Sequence, residues 1–460
     1  MKILKLSFVI AFVFITLPVF SEVLSVKDYM DMVNKNNKEL KSVNLGIDSV
    51  KEKLLETEKN HSYFFYVSTD YTDGRNSSES GFDEITTCNA NIGRFFKTGT
   101  YVSLGLKYKY DMNFGKNLNN RSNFLNPFLS LEQSLWKDIN GVFTKTVIAK
   151  EQAHKRSKLY SLEYDREKIL LKAKFAYWDL AYLKSRVYFE KLSLERAKKI
   201  LDWNQKKYRM NLIEELDLLQ AQATVKIREL SLSRAYEEEK RARRVFNQFL
   251  NIEEENVNYE LEKIENKSDS FKDKPFIEKK RVRADVLSLI ENVRIASYDQ
   301  IISKKNLGAD LVLKGSFCYD DDIRRKKTTY RPNYSLSLKY TLPFDFKLRR
   351  SINKGYELAK LSAQKSAEYA VTRENNEWLQ ILEDWNSAKM RLKLVSEIKE
   401  IEMQKYHEYK NLLIKGRSTT FYVLESERKL NDAVLQVLKT IWDIIKIYEE
   451  AKMFYGDNYI

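Results

Sequence analysis

Few residues in this sequence carry side chains suited to catalysis or metal binding, and their spacing supports neither. The chain has three histidines and two cysteines among 460 residues. The histidines do not stand at the spacing of metal ligands, and two cysteines cannot complete a cysteine-based zinc site. The sequence also lacks a glycine-rich phosphate loop, a nucleophile elbow and a zinc-protease helix. We therefore predict a protein that is not an enzyme and that holds no cofactor and no metal. The residues concerned are His61, His154, His407, Cys88 and Cys318.

Three consecutive carboxylates form the remaining candidate for cation binding. Asp320, Asp321 and Asp322 could touch a divalent cation, because such ions prefer oxygen ligands. Arg324 and Arg325 follow almost directly and would neutralise these carboxylates. The pattern favours a solvated loop over a cation site.

Two sharp reversals between long helical patterns bring carboxylates close to a turn. The first reversal is at Asn211, and the second is at Gly416, 205 residues later (416 − 211). Glycine, and less readily asparagine, adopts the left-handed backbone that ends a helix and turns the chain. Asp217 and Glu425 follow these reversals. Negative charge is favoured in the first turn of a helix, which by itself accounts for Asp217 as a solvated residue.

Helical heptads dominate the chain on both sides of the reversals. Apolar residues recur every seven positions from Leu159 to Tyr208, broken at Arg166, which is typical of helices packed along their lengths. We predict a helix over residues 142–209, about 100 Å long at roughly 1.5 Å per residue. Its return helix ends near Leu250, and a second helical hairpin covers residues 348–455. The predicted tips lie near residues 208–217 and 413–425.

Alternating patterns over residues 62–136 and 308–342 predict β-strands. Apolar and aromatic side chains, such as Val102 and Leu104, alternate with small or polar ones, such as Ser103 and Gly105. Each predicted strand therefore has one apolar and one polar face. Such strands fit either a half-buried sheet in water or the wall of a barrel in a membrane.

Long polar loops separate these strands, and we predict them at residues 74–85, 111–126 and 320–331. A chain with so few strands cannot close a wide barrel by itself. An open sheet edge is excluded in lipid, because its backbone groups would stay unpaired. The membrane interpretation of the strands therefore requires several copies that share one barrel.

The order of helix, strands and helical hairpin occurs twice along the chain. The first occurrence covers residues 22–250 and the second covers residues 284–460, with a connector over residues 251–283. Repetition on this scale predicts an internal duplication.

The first repeat carries about 40 additional residues around its strands, because the offset between the repeats rises from about 206 to about 246 upstream of them. The additional segment includes Cys88 to Ile92 and a turn at Lys97 to Gly99. It could be an extra strand pair in a barrel or an elaborated surface loop, and the sequence leaves both open. Cys88 and Cys318 lie in corresponding halves, and the pattern favours two unbridged thiols.

The N-terminus has the features of a secretory signal peptide. Lys2 and Lys5 precede an apolar run that ends near Phe20, and Ser21 supplies a small residue for cleavage. The run is short for a helix that must cross about 30 Å of hydrocarbon. We predict cleavage after Ser21 and export of the mature chain.

The formal net charge of +15 admits nucleic acid or anionic lipid as a partner. However, no run of basic residues stands apart from acidic ones, which favours lysine-rich helix faces in solvent. The predicted signal peptide argues further against a nucleic-acid partner.

The order of elements resembles that of the TolC-like outer membrane factors, the trimeric exit ducts of efflux pumps and type I secretion systems. The similarity covers essentially the whole mature chain and is most specific after each reversal. The motifs that carry it are Leu216 to Ala223, Gly416 with Phe421 to Glu427, and more weakly Asn37 to Leu40, Gln133 to Leu135 and Arg283 to Val286.

This resemblance implies a fold that is mainly α with β and internally duplicated. The long helical hairpins of three copies would form an α-barrel across the periplasm, and the strands, usually four from each copy, would form a shared transmembrane β-barrel. It implies a homotrimer in the outer membrane, an adaptor (membrane fusion) protein and an inner-membrane transporter as partners. The duct would be a passive conduit that these partners open.

The resemblance also assigns residues to a periplasmic gate. In the family an aspartate lines the first tip helix, and Asp217 matches it. Two aspartates usually lie on the second tip helix, at the positions of Tyr422 and Glu425, and only Glu425 keeps the charge. Arg417 would pair with the acids across a protomer boundary. The turns themselves would contact the adaptor, through Met210, Asn211, Leu212, Lys415, Gly416 and Arg417. The family usually has glycine at both turns, whereas the first turn here has Asn211.

Two other classes of protein compete with the exit duct. A periplasmic coiled-coil adaptor or structural envelope protein would also have helical hairpins, although not two duplicated ones with strands between them. A basic coiled-coil protein that binds nucleic acid is the second competitor.

Overall fold

The structure is a computed structural model. It describes residues 23–75, 82–115, 118–253, 259–267, 281–324 and 327–454. The predicted signal peptide and parts of the predicted connector lie outside the described residues.

Eight α-helices and six β-strands occupy the described chain. The helices are α1 (Val26–Asn36), α2 (Lys38–Glu52), α3 (Glu56–Lys59), α4 (Val142–Arg209), α5 (Glu215–Phe249), α6 (Ala284–Asn306), α7 (Phe346–Ile414) and α8 (Thr420–Ala451). The strands are β1 (Tyr63–Arg75), β2 (Phe82–Phe95), β3 (Thr100–Gly115), β4 (Leu118–Ser134), β5 (Asp310–Arg324) and β6 (Lys327–Thr341). Short 3₁₀ helices lie at Lys53–Leu55, Ile139–Gly141, Ile264–Lys267 and Lys452–Phe454.

The chain divides into two compact units. The helical unit comprises the described parts of Met1–Lys41, Ile169–Glu278 and Ile381–Lys452. The sheet unit comprises the described parts of Ser42–Lys168, Lys279–Gln380 and Met453–Ile460. The helical unit holds both reversals, and the sheet unit holds all six strands.

The two long helices confirm the heptad prediction. Helix α4 has 68 residues and begins and ends at the predicted positions, and α7 has 69 residues. Asp345 starts α7, because its Oδ1 accepts a hydrogen bond from the Leu348 backbone N–H at 2.8 Å. Asn37 separates α1 from α2 in the same way, since its Oδ1 accepts the Leu40 N–H at 2.8 Å.

An aromatic cluster holds α1 in the helical unit. The rings of Tyr29 and Phe246 stack with their centroids 4.3 Å apart, and Tyr177 lies 5.6 Å from Tyr29. The Tyr177 hydroxyl donates to the Leu24 carbonyl at 2.6 Å, while the Leu24 N–H donates to Glu260 O at 2.8 Å. Burial raises the pKa of both tyrosines, so they stay neutral. These contacts explain why the first helix is fixed to residues more than 200 positions later in the chain.

The six strands form one antiparallel sheet in sequence order, β1 to β6. Its register aligns paired residues of neighbouring strands into rows that cross the sheet. One row consists of Phe65, Ile92, Leu104, Leu129, Phe317 and Tyr334. The neighbouring row on the opposite face consists of Phe64, Gly93, Ser103, Ser130, Ser316 and Ser335. These two rows follow the predicted division into an apolar and a small, polar face, except for the aromatic Phe64 at the β1 edge.

The predicted polar loops are too long. Residues 111–115 and 118–126 belong to β3 and β4, where Phe114 pairs with Asn119. Residues 74–75 and 82–85 belong to β1 and β2, and only residues 325–326 separate the described parts of β5 and β6. Asparagine and aspartate disfavour strands by propensity, but a continued antiparallel ladder satisfies the backbone hydrogen bonds of these segments. Residues 320–322 therefore belong to β5 and not to a loop.

The additional segment of the first half is an extra strand pair and not a surface loop. Cys88 to Ile92 lie in β2, and the turn at Lys97 to Gly99 joins β2 to β3. The sheet therefore receives four strands before α4 and only two before α7. Neither Cys88 nor Cys318 forms a disulfide bond.

Candidate functional site

The two reversals of the helical unit have the same backbone geometry. Asn211 and Gly416 have φ angles of 59° and 70°, which place both in the left-handed region. In each turn the residue after the left-handed one donates its backbone N–H to the carbonyl five residues earlier. The Leu212 N–H donates to Lys207 O at 2.9 Å, and the Arg417 N–H donates to Leu412 O at 2.8 Å. This is the hydrogen-bond pattern of a Schellman motif. The prediction that each hairpin turns at these residues is confirmed.

We call residues 207–222 and 412–427 the tip site. They comprise both turns and the first turns of the helices that follow them. The 205-residue offset also separates the starts of these helices, Glu215 in α5 and Thr420 in α8 (420 − 215). Residues that correspond by this offset can be compared directly.

One apolar core holds the tip ends of α4, α5, α7 and α8 together. It contains Ile200 from α4, Ala221 from α5, Leu413 from α7 and Val423 from α8, all buried. Leu194, Ala197 and Val225 continue the packing between α4 and α5. The tip site is therefore the end of a packed four-helix arrangement, and its turns are positioned by that core.

Asp217 lies half-buried in the first turn of α5. Its backbone carbonyl accepts a hydrogen bond from Asn204 Nδ2 at 3.3 Å, and Asn204 Oδ1 accepts the Thr420 hydroxyl at 3.0 Å. Asn204 is fully buried and so connects the starts of α5 and α8 through α4. The Asp217 carboxylate is in the favourable position for an acid at the N-terminus of a helix.

Glu425 is held by its own helix. Its carboxylate pairs with Arg428 at 2.7 Å and with Lys429 at 3.7 Å. The hydrogen bond from Arg428 is the main reason why the pKa of Glu425 lies below its ordinary value, and Lys429 adds to the effect. Arg417 is exposed on the second turn, and within the described chain no carboxylate lies within 4 Å of its guanidinium. Whether these acids meet Arg417 of another copy stays a prediction.

Tyr422 corresponds to Asp217 by the offset of 205 and replaces its charge with an exposed ring. The ring stacks on Tyr409 with centroids 5.7 Å apart and planes 11° apart. Phe421 packs against it edge-on at 5.6 Å. The second tip therefore presents an aromatic surface where the first presents a carboxylate.

The turns and the helix starts next to them expose a group of apolar side chains. Met210 and Leu212 are its members at the first turn. The second turn exposes Lys415 and Gly416 instead, which are not apolar. Exposed apolar groups clustered in this way are typical of contact surfaces. The other exposed apolar side chains of the tip site are Leu216, Leu219, Ile414, Phe421 and Tyr422.

The sequence interpretation missed a buried ionic cluster immediately behind the second tip. Glu427 is fully buried, and its Oε1 accepts hydrogen bonds from Ser193 Oγ at 2.7 Å and Arg196 Nη2 at 3.0 Å. Its Oε2 accepts from Arg228 Nη2 at 2.9 Å. We call these four residues the Glu427 cluster. Because Ser193 and Arg196 are in α4 and Arg228 is in α5, one carboxylate of α8 is bonded to both helices of the first hairpin.

A second buried acid lies next to this cluster. Glu190 accepts a hydrogen bond from Asn431 Nδ2 at 3.4 Å. Burial raises the pKa of Glu190, and the nearby guanidinium groups of Arg228 and Arg186 oppose that rise. The burial of Glu427, although not its partners, could have been inferred from the sequence, because Glu427 lies four residues after Val423 and three before Leu430 on the buried face of α8.

The tips do not supply a metal site within the part of the chain that the structure describes. No group of three or more histidine, cysteine, aspartate or glutamate side chains within the described residues could hold a metal ion. His61 is buried in the sheet unit with Nδ1 2.9 Å from the Phe95 carbonyl, which is a structural contact.

None of the helices described is both long enough and apolar enough to cross a membrane.

Comparison with known proteins gives similarity in structure but not in sequence. No family model and no curated protein sequence matches the chain. The outer-membrane channel OprN superposes with a TM-score of 0.67 at 14% identity, over 93% of this chain and 88% of OprN. The CmeC outer membrane channel of Campylobacter jejuni gives 0.66 at 14% identity, over 94% of this chain and 85% of CmeC.

A third similar structure is the outer membrane protein VceC from Vibrio cholerae, with a TM-score of 0.66 at 11% identity. The similarity covers 92% of this chain and 95% of VceC, so it includes both the sheet and the hairpins. The chain has the fold of the TolC-like outer membrane channels.

Proposed function

We propose that this protein is an outer membrane exit duct that serves an efflux pump or a type I secretion system. Three copies would join their sheets into one barrel in the outer membrane and their helical hairpins into one tunnel in the periplasm. The duct would be a passive conduit without catalytic activity. The observation that carries this proposal is the pair of matched turns that close a four-helix tip, in a chain with the fold of outer membrane channels.

The tip site would be the periplasmic gate of this duct. Three copies of Asp217 and of Glu425 near one axis would favour cations and could bind Arg417 of the neighbouring copy. Tyr422, on the corresponding position of the second tip, would narrow the passage with its exposed ring. These contacts would hold the closed state.

An adaptor protein would open the gate by binding the tips. A partner shifts a conformational equilibrium only by its differential affinity for the two states. The exposed apolar side chains at Met210 and Leu212, together with Lys415, Gly416 and Arg417, would give an adaptor such contacts. One similar structure, the MtrE outer membrane channel of Neisseria gonorrhoeae, is described in an open state, which shows that this fold admits one in that protein.

Single-channel recording in planar bilayers tests the proposal. We expect the native protein to form a channel of low conductance and the double variant D217A/E425A to form one of higher conductance, because the gate loses both acids. A matched control is E397A/E408A, which removes two exposed carboxylates of α7 outside the tip site. No channel with any variant would contradict the duct. A channel with equal conductance in all three proteins would contradict the gate.

A further inference from the structure

The sheet has two unpaired edges, and both belong to long strands. Within the described chain, β1 pairs only with β2, and β6 pairs only with β5. Their outer edges extend over 13 and 15 residues. Such an edge is a template for another strand, and in lipid it must be paired because no water can satisfy its backbone groups.

The two edges suit each other in direction and in surface character. Because six antiparallel strands alternate in direction, β6 of one copy can pair in antiparallel orientation with β1 of the next. The apolar row ends at Phe65 on one edge and at Tyr334 on the other, exposed to 70% and 73%. The row on the opposite face ends at Phe64 and Ser335. A second copy of this chain would therefore continue the apolar face, while on the other face the edges differ, with Phe64 on one and Ser335 on the other.

The strand pair β2–β3 is an integral part of this sheet. All residues of β2 pair with β1 or β3 in one continuous register. Small residues on the polar face make room for large ones: a Cβ at Gly93 would lie 2.7 Å from the Phe64 ring and 2.8 Å from the Tyr101 hydroxyl. Phe64 and Tyr101 stack across Gly93 with their centroids 6.0 Å apart. This packing fixes the pair in the wall rather than on its surface.

The turn that joins β2 to β3 is locked onto the start of α4. Gly99 and Gly141 have φ angles of 80° and 74°. A Cβ at Gly141 would lie 1.9 Å from the Lys97 carbonyl oxygen, and one at Gly99 would lie 2.5 Å from Asp138 Oδ2. Lys97 also forms an ion pair with Glu58 at 2.7 Å. The glycines thus allow a contact between two backbones that no larger residue would permit.

We propose that the β2–β3 pair widens the pore, so that three copies of the chain close an eighteen-stranded barrel. This inference rests on the proposed function, which supplies the three copies. Each copy contributes six strands, and three times six is eighteen. Without β2 and β3 each copy would contribute two hairpins, β1–β4 and β5–β6, and the barrel would have twelve strands. Since barrel diameter grows roughly in proportion to strand number, the pair would enlarge the diameter by about half.

Excision of residues 76–117 removes both strands and joins β1 to β4. Tyr63, Arg94, Val102 and Leu131 lie in one row, so Tyr63 and Leu131 face the same side and would become direct neighbours. The joined strands run in opposite directions, as a hairpin requires. The excised chain therefore keeps the division into an apolar and a polar face.

Cryo-electron microscopy of the detergent-extracted native protein and of the excised variant tests the inference. We expect three copies around one axis in both, with eighteen strands in the native barrel and twelve in the variant, and a diameter smaller by about a third. Native rings with a closed wall of any other strand number would overturn the inference and leave the duct intact. A native protein that forms no ring would instead overturn the proposed function.

Cross-linking of the native chain tests the same contact without a deletion. In a C88S/C318S background, V67C would be combined in turn with L336C, L338C or Y340C, all on the apolar face. At least one pair should give a disulfide ladder that ends at three copies, because facing residues of paired strands approach within disulfide range. The matched control combines V67C with L104C, which lies on β3 within the sheet and should give no ladder. Three-copy particles without a cross-link for any pair would contradict pairing of β1 with β6.

Discussion

The two tips share one backbone design, but different contacts hold them in place. Asn211 corresponds to Gly416, and both turns close with the same hydrogen bonds. Behind the turns the resemblance ends: Glu427 is buried with two arginines, whereas its counterpart, Gln222, is exposed (427 − 205). The second hairpin is therefore tied to the first by a buried charge of its own, and the first has no such anchor at this position. The turn sets the path of the chain, and side chains further along decide how firmly each hairpin is held.

Glu427→Leu should have the largest effect on this difference. It leaves Arg228, of which 6% is exposed, without its carboxylate partner. Loss of one member of a buried ion pair typically costs about 3–5 kcal/mol, and we expect unfolding in denaturant to shift accordingly. Gln222→Leu at the corresponding exposed position should change stability by less than about 0.5 kcal/mol. Denaturant titration followed by far-UV circular dichroism measures both.

Arg228→Met in the Glu427→Leu background distinguishes a buried charge from simple loss of packing. If the uncompensated guanidinium is the cause, removal of that charge should restore part of the lost stability. A double variant that is no more stable than Glu427→Leu would contradict this explanation.

Gly416→Ala should have the next largest effect. No atom lies within 4 Å of a Cβ placed at Gly416, so the cost would come from the left-handed backbone alone. That cost is about 1–2 kcal/mol for a residue with a Cβ. Asn211→Gly, in the matching turn, should leave stability unchanged or raise it slightly, because asparagine already tolerates this conformation. The same denaturant titration compares the two variants. A loss of stability for Asn211→Gly as large as that for Gly416→Ala would contradict the conclusion that both turns require a left-handed backbone.

Arg428→Gln should have the smallest effect, which should be present at neutral pH and disappear in acid. The pair with Arg428 lowers the pKa of Glu425, so its stabilisation is complete above the ordinary carboxyl pKa and is lost as the pH falls through the lowered value. Without Arg428 most of this stabilisation is absent at neutral pH, so the stability curves of the two proteins should converge as the pH falls. Because both side chains are partly exposed, the difference would be about 0.3–0.5 kcal/mol at neutral pH. Stability curves of both proteins between neutral and acidic pH test this, and curves that coincide would contradict it.

The sequence predicts the long helices and the turns well, because both depend on local patterns. Heptads repeat along most of α4, from Leu159 to Tyr208, and Asn211 and Gly416 are the residues at the turns that suit a left-handed backbone. The ends of the strands depend instead on pairing with distant segments. Residues such as Asn113 and Asn120, which pair across β3 and β4, suggest a loop by composition, yet the ladder extends through them.

The Glu427 cluster could not be read from local pattern alone. Its partners Ser193 and Arg228 lie 234 and 199 residues away in the sequence. The periodicity of α8 shows that Glu427 faces the core, but only the fold brings two arginines to it. The strand pair β2–β3 is similar: the sequence located the additional segment, and only the register of the sheet decided between a strand pair and a loop.

The most direct test of the duct is the fate of the exported chain in a Gram-negative host. Membrane fractions would be separated, extracted with salt and then with detergent, and the mass of the detergent-extracted particle would be measured. We predict a protein that stays in the outer membrane fraction after salt, dissolves only in detergent and has three times the mass of one mature chain. A monomer that leaves the membrane with salt alone would contradict the account.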